Sequence, residues 1–222
     1  MRPLARGLVG ARGRCGFTLL EVVVVVGVLG VVLGSVGMFQ LHGNSAARSQ
    51  LERSELEART RRALDRAVDE LMGAAQSRLD PDPTDSFAVA NIAFQRPDSV
   101  SDQGEVVWSK RMNFVLELEP RELANGRDDD GDELVDELRL VLVRRAGEPD
   151  EQRVVLCNGV AAMAEDEWSN ASDDDGDGSI DEAGFGVRRV GDVLLVHLRL
   201  LHGRKGLEPL SVELATSVVV RN

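Results

Sequence analysis

Residues 17–39 read FTLLEVVVVVGVLGVVLGSVGMF, and this apolar run constrains the fold of the chain more than any other feature. A helix of this length crosses the hydrocarbon core of a bilayer. The valines would favour a strand in water, but in lipid the backbone groups find no water and are satisfied within a helix. Four arginines and no acid precede the run: Arg2, Arg6, Arg12 and Arg14. Because positive charge stays on the cytoplasmic side, we predict one membrane span with the remaining chain beyond it.

Glu21 lies inside this apolar run, where a carboxylate costs on the order of 3 kcal/mol. A simple membrane anchor has no use for such a residue. A secretory signal peptide is a poor match too, because its small cleavage-site residues follow the apolar stretch, whereas Gly16 precedes it. A carboxylate removed from water needs a charged partner, so Glu21 is expected to have a function.

Residues 16–21 read GFTLLE after a short basic leader, and this arrangement resembles the signal of type IV prepilins and type II secretion pseudopilins. The resemblance implies that a prepilin peptidase cuts between Gly16 and Phe17 and that Phe17 is N-methylated. It also implies that Glu21 pairs with the N-terminal amine of a neighbouring pilin or pseudopilin subunit. The expected location is the inner membrane, with the leader, residues 1–16, cytoplasmic and removed and the C-terminal domain periplasmic.

Residues 40–80 are predicted to form an amphipathic helix that follows the membrane segment, residues 17–39. No proline interrupts this part of the chain before Pro81, and proline disfavours helix at the residue before it. The apolar residues follow helical spacing and form one stripe. That stripe is made of Leu64, Ala67, Val68, Leu71, Ala74, Ala75 and Leu79.

Residues 84–222 have the short apolar and alternating runs of a β-rich domain. The connections are too short for crossover helices, so an antiparallel sheet is expected. The fold class is therefore α+β, a long N-terminal helix packed on an antiparallel sheet. This layout is similar to that of pilins, in particular minor pseudopilins of the J type and minor pilins of the W type. The predicted strands cover residues 87–94, 106–108, 112–118, 138–143, 154–157, 185–190, 193–201 and 210–220.

Residues 125–137 read NGRDDDGDELVDE and residues 170–182 read NASDDDGDGSIDE, so two acidic loops align without a gap. Alternating carboxylates in a tight loop can turn toward one centre and supply the oxygen ligands that Ca²⁺ prefers. The loops resemble the calcium loops of EF-hand, dockerin and thrombospondin type 3 modules. The candidate ligands are Asn125, Asp128, Asp130, Asp132 and Asp136 in the first loop, and Asn170, Asp173, Asp175, Asp177 and Asp181 in the second.

The second loop matches a calcium loop more fully, because Gly178 follows its third aspartate where the first loop has Glu133. Neither loop has a glutamate at its twelfth position, so weak binding is expected, with a dissociation constant of about 10⁻⁴–10⁻³ M. Replacing Asp175 or Asp177 should then remove most of a calcium effect, and replacing Asp130 a smaller part. The alternative is a pair of solvated acidic loops that bind no ion.

The formal net charge of −12 makes nucleic acid an unexpected partner. We find no nucleophile elbow, zinc-protease motif or phosphate loop, and therefore expect no enzyme. Removal of the leader would take Cys15 with it and leave Cys157 without a disulfide partner, as a small apolar residue. Two functions stay open: a pilus or pseudopilus subunit, or a non-polymerising single-span membrane protein whose periplasmic domain binds calcium or a partner.

Overall fold

The computed structural model describes residues 18–83, 90–176 and 178–220, with residues 39–46 described by their backbone alone. The chain divides into two compact units, Met1–Gln50 and Leu51–Asn222. Within the described residues there is one long helix, α1 (Leu19–Met72), and a single 3₁₀ turn at Gln76–Arg78. The strands are β1 (Ile92–Phe94), β2 (Pro97–Val100), β3 (Val106–Trp108), β4 (Met112–Leu118), β5 (Leu138–Arg144), β6 (Gln152–Val160), β7 (Phe185–Val190), β8 (Val193–His202) and β9 (Leu210–Val219).

The part of α1 within the second unit buries one apolar stripe against the sheet, as its spacing predicts. Leu56, Leu64, Ala67 and Leu71 are all buried in the core of this unit. Thr60 lies in the same stripe, and its hydroxyl donates a hydrogen bond of 2.9 Å to the carbonyl of Leu56. The buried hydroxyl is therefore satisfied by the preceding turn of the helix.

The helix ends at Met72, earlier than the predicted end near residue 80. Arg96 explains this end, because its guanidinium donates hydrogen bonds to the carbonyl oxygens of Asp69 and Glu70 in the last turn. Arg96 also forms an ion pair with the carboxylate of Glu70. Arg144 forms a second ion pair with the same carboxylate, with its Nη2 2.6 Å from Oε1. Residues 73–80 then leave the helix, and Asp80 pairs with Ala93 beside β1. Pairing with the sheet thus replaces the last helical turns that the sequence pattern favours.

The strands form an antiparallel sheet of seven strands, ordered β1-β4-β5-β6-β8-β7, with β9 paired to β8. On one side β8 pairs along its length with β9. On the other side it pairs with β7 as far as Leu198 and meets β6 at Leu200. An α+β fold with an N-terminal apolar helix and an antiparallel sheet is therefore confirmed.

Most strand predictions agree with the structure, and the differences have local causes. Of residues 87–94, the strand Ile92–Phe94 is present, whereas residues 87–89 lie outside the described part of the chain. The strand Pro97–Val100 was not predicted; all four of its residues are exposed, and it pairs with β3 in a separate two-stranded sheet. Three aromatic rings fill the centre of the main core, with Phe114 stacked on Phe94 at 5.3 Å and edge-on to Phe185 at 5.6 Å.

The two acidic loops both connect strands of the large sheet. The first, residues 125–137, lies between β4 and β5, which are direct neighbours with Leu118 paired to Leu138. The second, residues 170–182, lies between β6 and β7, both of which pair with β8. The first loop therefore leads directly into β5, and the second ends shortly before β7.

Candidate metal centres and the N-terminal segment

The first turn of α1 is capped by its own sequence. The hydroxyl of Thr18 accepts a hydrogen bond of 3.2 Å from the backbone N–H of Glu21, which is the spacing of a capping box. The segment Leu19–Met38 has a mean hydropathy of 2.6 and none of it is buried within the chain, so by length and composition it can cross a membrane. Gly16 and Phe17, the predicted processing residues, lie outside the described residues. Glu21 is exposed at this end of the helix.

The two acidic loops follow the same backbone path. Corresponding positions of the repeat, which are 45 residues apart in the printed sequence, take left-handed conformations in both loops. The pairs of φ angles are 73° and 60° at Gly126 and Ala171, 85° and 79° at Gly131 and Gly176, 71° and 94° at Glu133 and Gly178, and 51° and 51° at Asp136 and Asp181. The repeat in the sequence is therefore a repeat in structure, and Glu133 adopts the turn for which the second loop uses glycine.

The last aspartate of each loop closes it onto its first residues. Asp136 accepts hydrogen bonds from the backbone N–H groups of Asn125, at 3.0 Å, and Gly126, at 2.7 Å. Asp181 does the same for Asn170, at 2.8 Å, and for Ala171, at 3.0 Å. These two predicted ligands therefore also fix the closure of the loops.

The asparagines and the first aspartates order the interior of each loop in the same way. The side-chain amide of Asn125 donates to Asp129 at 2.7 Å, and that of Asn170 donates to Asp174 at 2.8 Å. Asp128 accepts from the N–H groups of Gly131 and Glu133, at 2.6 and 3.0 Å. Asp173 accepts from those of Gly176 and Gly178, at 2.7 and 3.1 Å.

Two further glutamates belong to the loops, and sequence reasoning missed them. Glu122 is 4% exposed and accepts hydrogen bonds from the N–H groups of Asp129, at 3.1 Å, and Asp130, at 3.0 Å. Glu167 is 5% exposed and accepts from Asp174, at 3.0 Å, and Asp175, at 3.2 Å. Each glutamate comes three positions before the asparagine of its loop, so the repeat extends further toward the N-terminus than the acidic run itself.

Among the residues that the structure describes, three groups of carboxylates are close enough to share an ion. Within each group one oxygen of every member lies within 4.8 Å of the others. Oxygens on opposite sides of Ca²⁺ are about 5 Å apart, because each Ca–O distance is about 2.3–2.6 Å. The oxygen spacing in each group is therefore within the span of one such cation. The three groups are Asp128, Asp130 and Asp132; Glu122, Asp130 and Glu137; and Glu167, Asp173 and Asp175.

Among the predicted ligands, the structure thus brings together Asp128, Asp130 and Asp132 in the first loop, and Asp173 and Asp175 in the second. Asp177 lies outside the described residues. Asp130 is shared between an exposed group, formed with the two other aspartates, and an interior group formed with Glu122 and Glu137.

Glu137, the last residue before β5, is 1% exposed. Burial raises the pKa of its carboxyl to about 7, and the negative charges of Asp132, Glu122 and Glu119 add to the effect. Within the described part of the chain, neither of its carboxylate oxygens has a hydrogen-bond partner. This arrangement favours a cation or a proton at Glu137.

The two loops pack differently on the rest of the domain. A Cβ atom placed on Gly203, in the connection from β8 to β9, would lie 1.9 Å from the carbonyl oxygen of Asp132. The first loop therefore rests directly on this glycine. The second loop instead contacts the positively charged side chain of Arg188 in β7, which donates a hydrogen bond of 3.0 Å to the hydroxyl of Ser179.

Comparison with known protein families gives a match to the prokaryotic N-terminal methylation motif at residues 11–37. No curated protein and no solved structure matches the chain. The motif supports a type IV pilin-like signal that is processed by prepilin peptidase. The apolar helix and the motif together are consistent with a membrane-anchored pilin.

Proposed function

We propose that this chain is a structural subunit, a minor pilin or pseudopilin, of a type IV pilus or a type II secretion pseudopilus. The observation that supports this most is the N-terminal methylation motif at residues 11–37. It overlaps the apolar segment Leu19–Met38, which would hold the subunit in the inner membrane before assembly. The sheet domain would face the periplasm, and the work of the chain would be assembly rather than catalysis.

Processing would create the group that assembly needs. A cut between Gly16 and Phe17 removes the basic leader and leaves an amine on Phe17, one residue before the helix cap at Thr18. N-methylation keeps this amine basic. The positive charge would therefore stand at the end of the apolar helix, at nearly the same depth in the membrane as Glu21.

Glu21 would then pair with the amine of a neighbouring subunit. An ionised carboxylate within the membrane costs on the order of 3 kcal/mol, and an amine at matching depth offsets this cost. Glu21 is exposed on the helix, so its carboxylate is accessible to a second chain. Such a pair would also set the axial position of each subunit relative to the next.

Calcium would stabilise the periplasmic domain through the two acidic loops. Each loop contains at least one group of three carboxylates with oxygens within 4.8 Å of one another. A cation would relieve the repulsion among these like charges and hold each loop in one conformation. The residues that supply the oxygens are the candidate ligands described above, together with Glu122, Glu137 and Glu167.

The cleavage site provides the direct test. The protein isolated from its native host should begin with methylated Phe17 by mass spectrometry, whereas an intact Met1 in the mature pool would contradict the proposal. Gly16→Leu should leave the precursor uncut in the membrane. Gly13→Leu is the matched control, because it places the same side chain in the leader away from the cut and should be processed normally.

The calcium groups also suit the second candidate, a single-span membrane protein whose periplasmic domain binds calcium or a partner without polymerising. Glu21 separates the two functions, since only an assembling subunit needs a carboxylate at that depth. Loss of assembly in Glu21→Ala would support the fibre subunit. A protein that never enters a fibre, with or without Glu21, would support the second candidate.

A further inference from the structure

The interior of the first acidic loop contains buried carboxylate oxygens without partners. Glu137 is 1% exposed and Glu122 is 4% exposed. Among the described residues, both oxygens of Glu137 and the Oε2 oxygen of Glu122 lack a hydrogen-bond donor. Removing a carboxylate from water without a partner is strongly unfavourable, so this interior calls for a positive charge.

The charged residues near Glu137 do not supply this positive charge. Asp132, Glu122 and Glu119 all add negative potential at Glu137. Arg139 is only two residues away in sequence, but its guanidinium is committed to Glu117, with Nε 2.8 Å from the carboxylate. The unpartnered oxygens of the two glutamates therefore lie in a region of uncompensated negative charge.

The equivalent part of the second loop is better compensated. Glu167 accepts hydrogen bonds through both oxygens, because the N–H of Asp181 donates to Oε2 at 3.1 Å while two other N–H groups donate to Oε1. Arg188 also brings its guanidinium to Ser179 within this loop. A metal ion that enters the second loop therefore meets this positive charge and a Glu167 carboxylate whose two oxygens already have donors.

We infer that the first loop binds calcium from its interior side, through Glu122, Asp130 and Glu137, and that this centre binds calcium more tightly than the second loop does. The inference rests on the calcium part of the proposed function and names its principal ligands. One oxygen of each of the three residues lies within 4.8 Å of the others, as Ca²⁺ requires. Among the described residues each loop offers at least one group of three carboxylates, so the difference lies in the unpartnered buried oxygens of Glu122 and Glu137 and in the packing of the first loop on Gly203, which makes its site rigid.

The rigidity has a structural origin. Two backbone N–H groups hold Glu122 in place, and the backbone of Asp132 and Glu133 lies against Gly203. The ligands are thus positioned before an ion arrives, so little ordering accompanies binding. The turn glycine Gly178 predicts that the second loop binds calcium more tightly. We infer the opposite order, because the burial of Glu122 and Glu137 outweighs the absence of a glycine at Glu133.

The test is a calcium titration of the full chain in detergent by calorimetry, with variants matched across the repeat. Glu137→Gln should weaken the tighter site about tenfold or more, because one charged ligand is lost. Glu182→Gln, at the same position in the second loop, should leave the affinity of the tighter site unchanged. In chelator, Glu137→Gln should melt no lower than the wild type, because the change removes a buried charge and keeps the shape.

A second matched pair avoids buried positions altogether. Asp130 and Asp175 are both exposed, and Asp130→Asn should weaken the tighter site while Asp175→Asn should not. Equal effects of the two members of either pair, or a larger effect from the second loop, would overturn the inference and leave calcium binding itself intact. If titration of the wild type with calcium releases or absorbs no heat, both the inference and the calcium part of the proposed function are wrong. Cleavage at Phe17 would still test the assembly role separately.

Discussion

Replacing a chelator with 5 mM Ca²⁺ should raise the melting temperature of the folded sheet domain. The described residues of the two loops present three carboxylate groups whose oxygens lie within 4.8 Å of one another. An ion that binds these groups in the native state, and not in the unfolded chain, stabilises the native state by mass action. The effect should therefore grow with calcium concentration instead of reaching its full size at trace levels.

The magnitude follows from the affinities expected of the two sites. A dissociation constant of about 10⁻⁴ M for the first loop gives a gain of about 2.3 kcal/mol at ~5 mM Ca²⁺. A constant of about 10⁻³ M for the second loop adds ~1.1 kcal/mol, so the free energy of unfolding should rise by about 3.4 kcal/mol. For a domain of this size such a gain corresponds to roughly 7–14 °C.

Differential scanning calorimetry of the full chain in detergent measures this shift directly. Mg²⁺ at the same concentration is the matched ion and should give a smaller shift, because it releases its bound water reluctantly. Asp130→Asn combined with Asp175→Asn should remove most of the calcium gain and little of the stability in chelator. Equal melting temperatures in calcium and chelator would refute the reasoning and favour solvated acidic loops.

Three other predictions address single residues. Glu21→Ala should insert and be cleaved as the wild type is but assemble poorly, measured as subunit recovered in sheared fibres; wild-type yield would contradict the pairing of Glu21 with an amine. Glu133→Gly should raise the free energy of unfolding by about 0.5–1 kcal/mol, because Glu133 has a φ of 71°. The matched change Gly178→Ala should lower it by about 1 kcal/mol, and denaturant melts that show the opposite signs would exclude strain at this turn. Burial raises the pKa of the Cys157 thiol to about 12, so in the folded processed protein it should resist iodoacetamide at pH 8 and react only once the pH approaches 12 or the domain unfolds; rapid labelling of the folded domain at pH 8 would disprove this.

The sequence predicts the sheet well where a strand has an apolar face. The runs at residues 106–108, 112–118 and 185–190 are strands with the predicted bounds, because each is confined by polar or turn residues. Pro97–Val100 has no such face and is a strand only because it pairs with β3. The end of α1 was predicted too late for a similar reason: it depends on a distant contact, because Arg96 donates hydrogen bonds to the carbonyl of Glu70 in the last turn.

The loops were recognisable from the sequence, but their most buried carboxylates were not. The aspartates repeat in a pattern that points directly to an ion. Glu122 and Glu137 also repeat, as Glu167 and Glu182, yet an isolated glutamate beside a strand is usually a solvent-exposed residue. Only the tertiary structure places Glu122 under the loop and Glu137 at the edge of the core, both almost fully buried.

The position of each loop in the sheet explains why two copies of one motif differ. The first loop leads into β5, which is flanked by β4 and β6, so Glu137 enters a crowded region where Glu119 of the preceding connection lies close. The second leads into β7, which within the described residues pairs with β8 alone. An edge strand leaves room for a long side chain, and Arg188 uses that room to reach the loop. The same backbone turn therefore carries uncompensated negative charge beside the central strand β5 and a neighbouring guanidinium beside the edge strand β7. The first loop should thus bind calcium more tightly, although the second loop matches a calcium motif more fully.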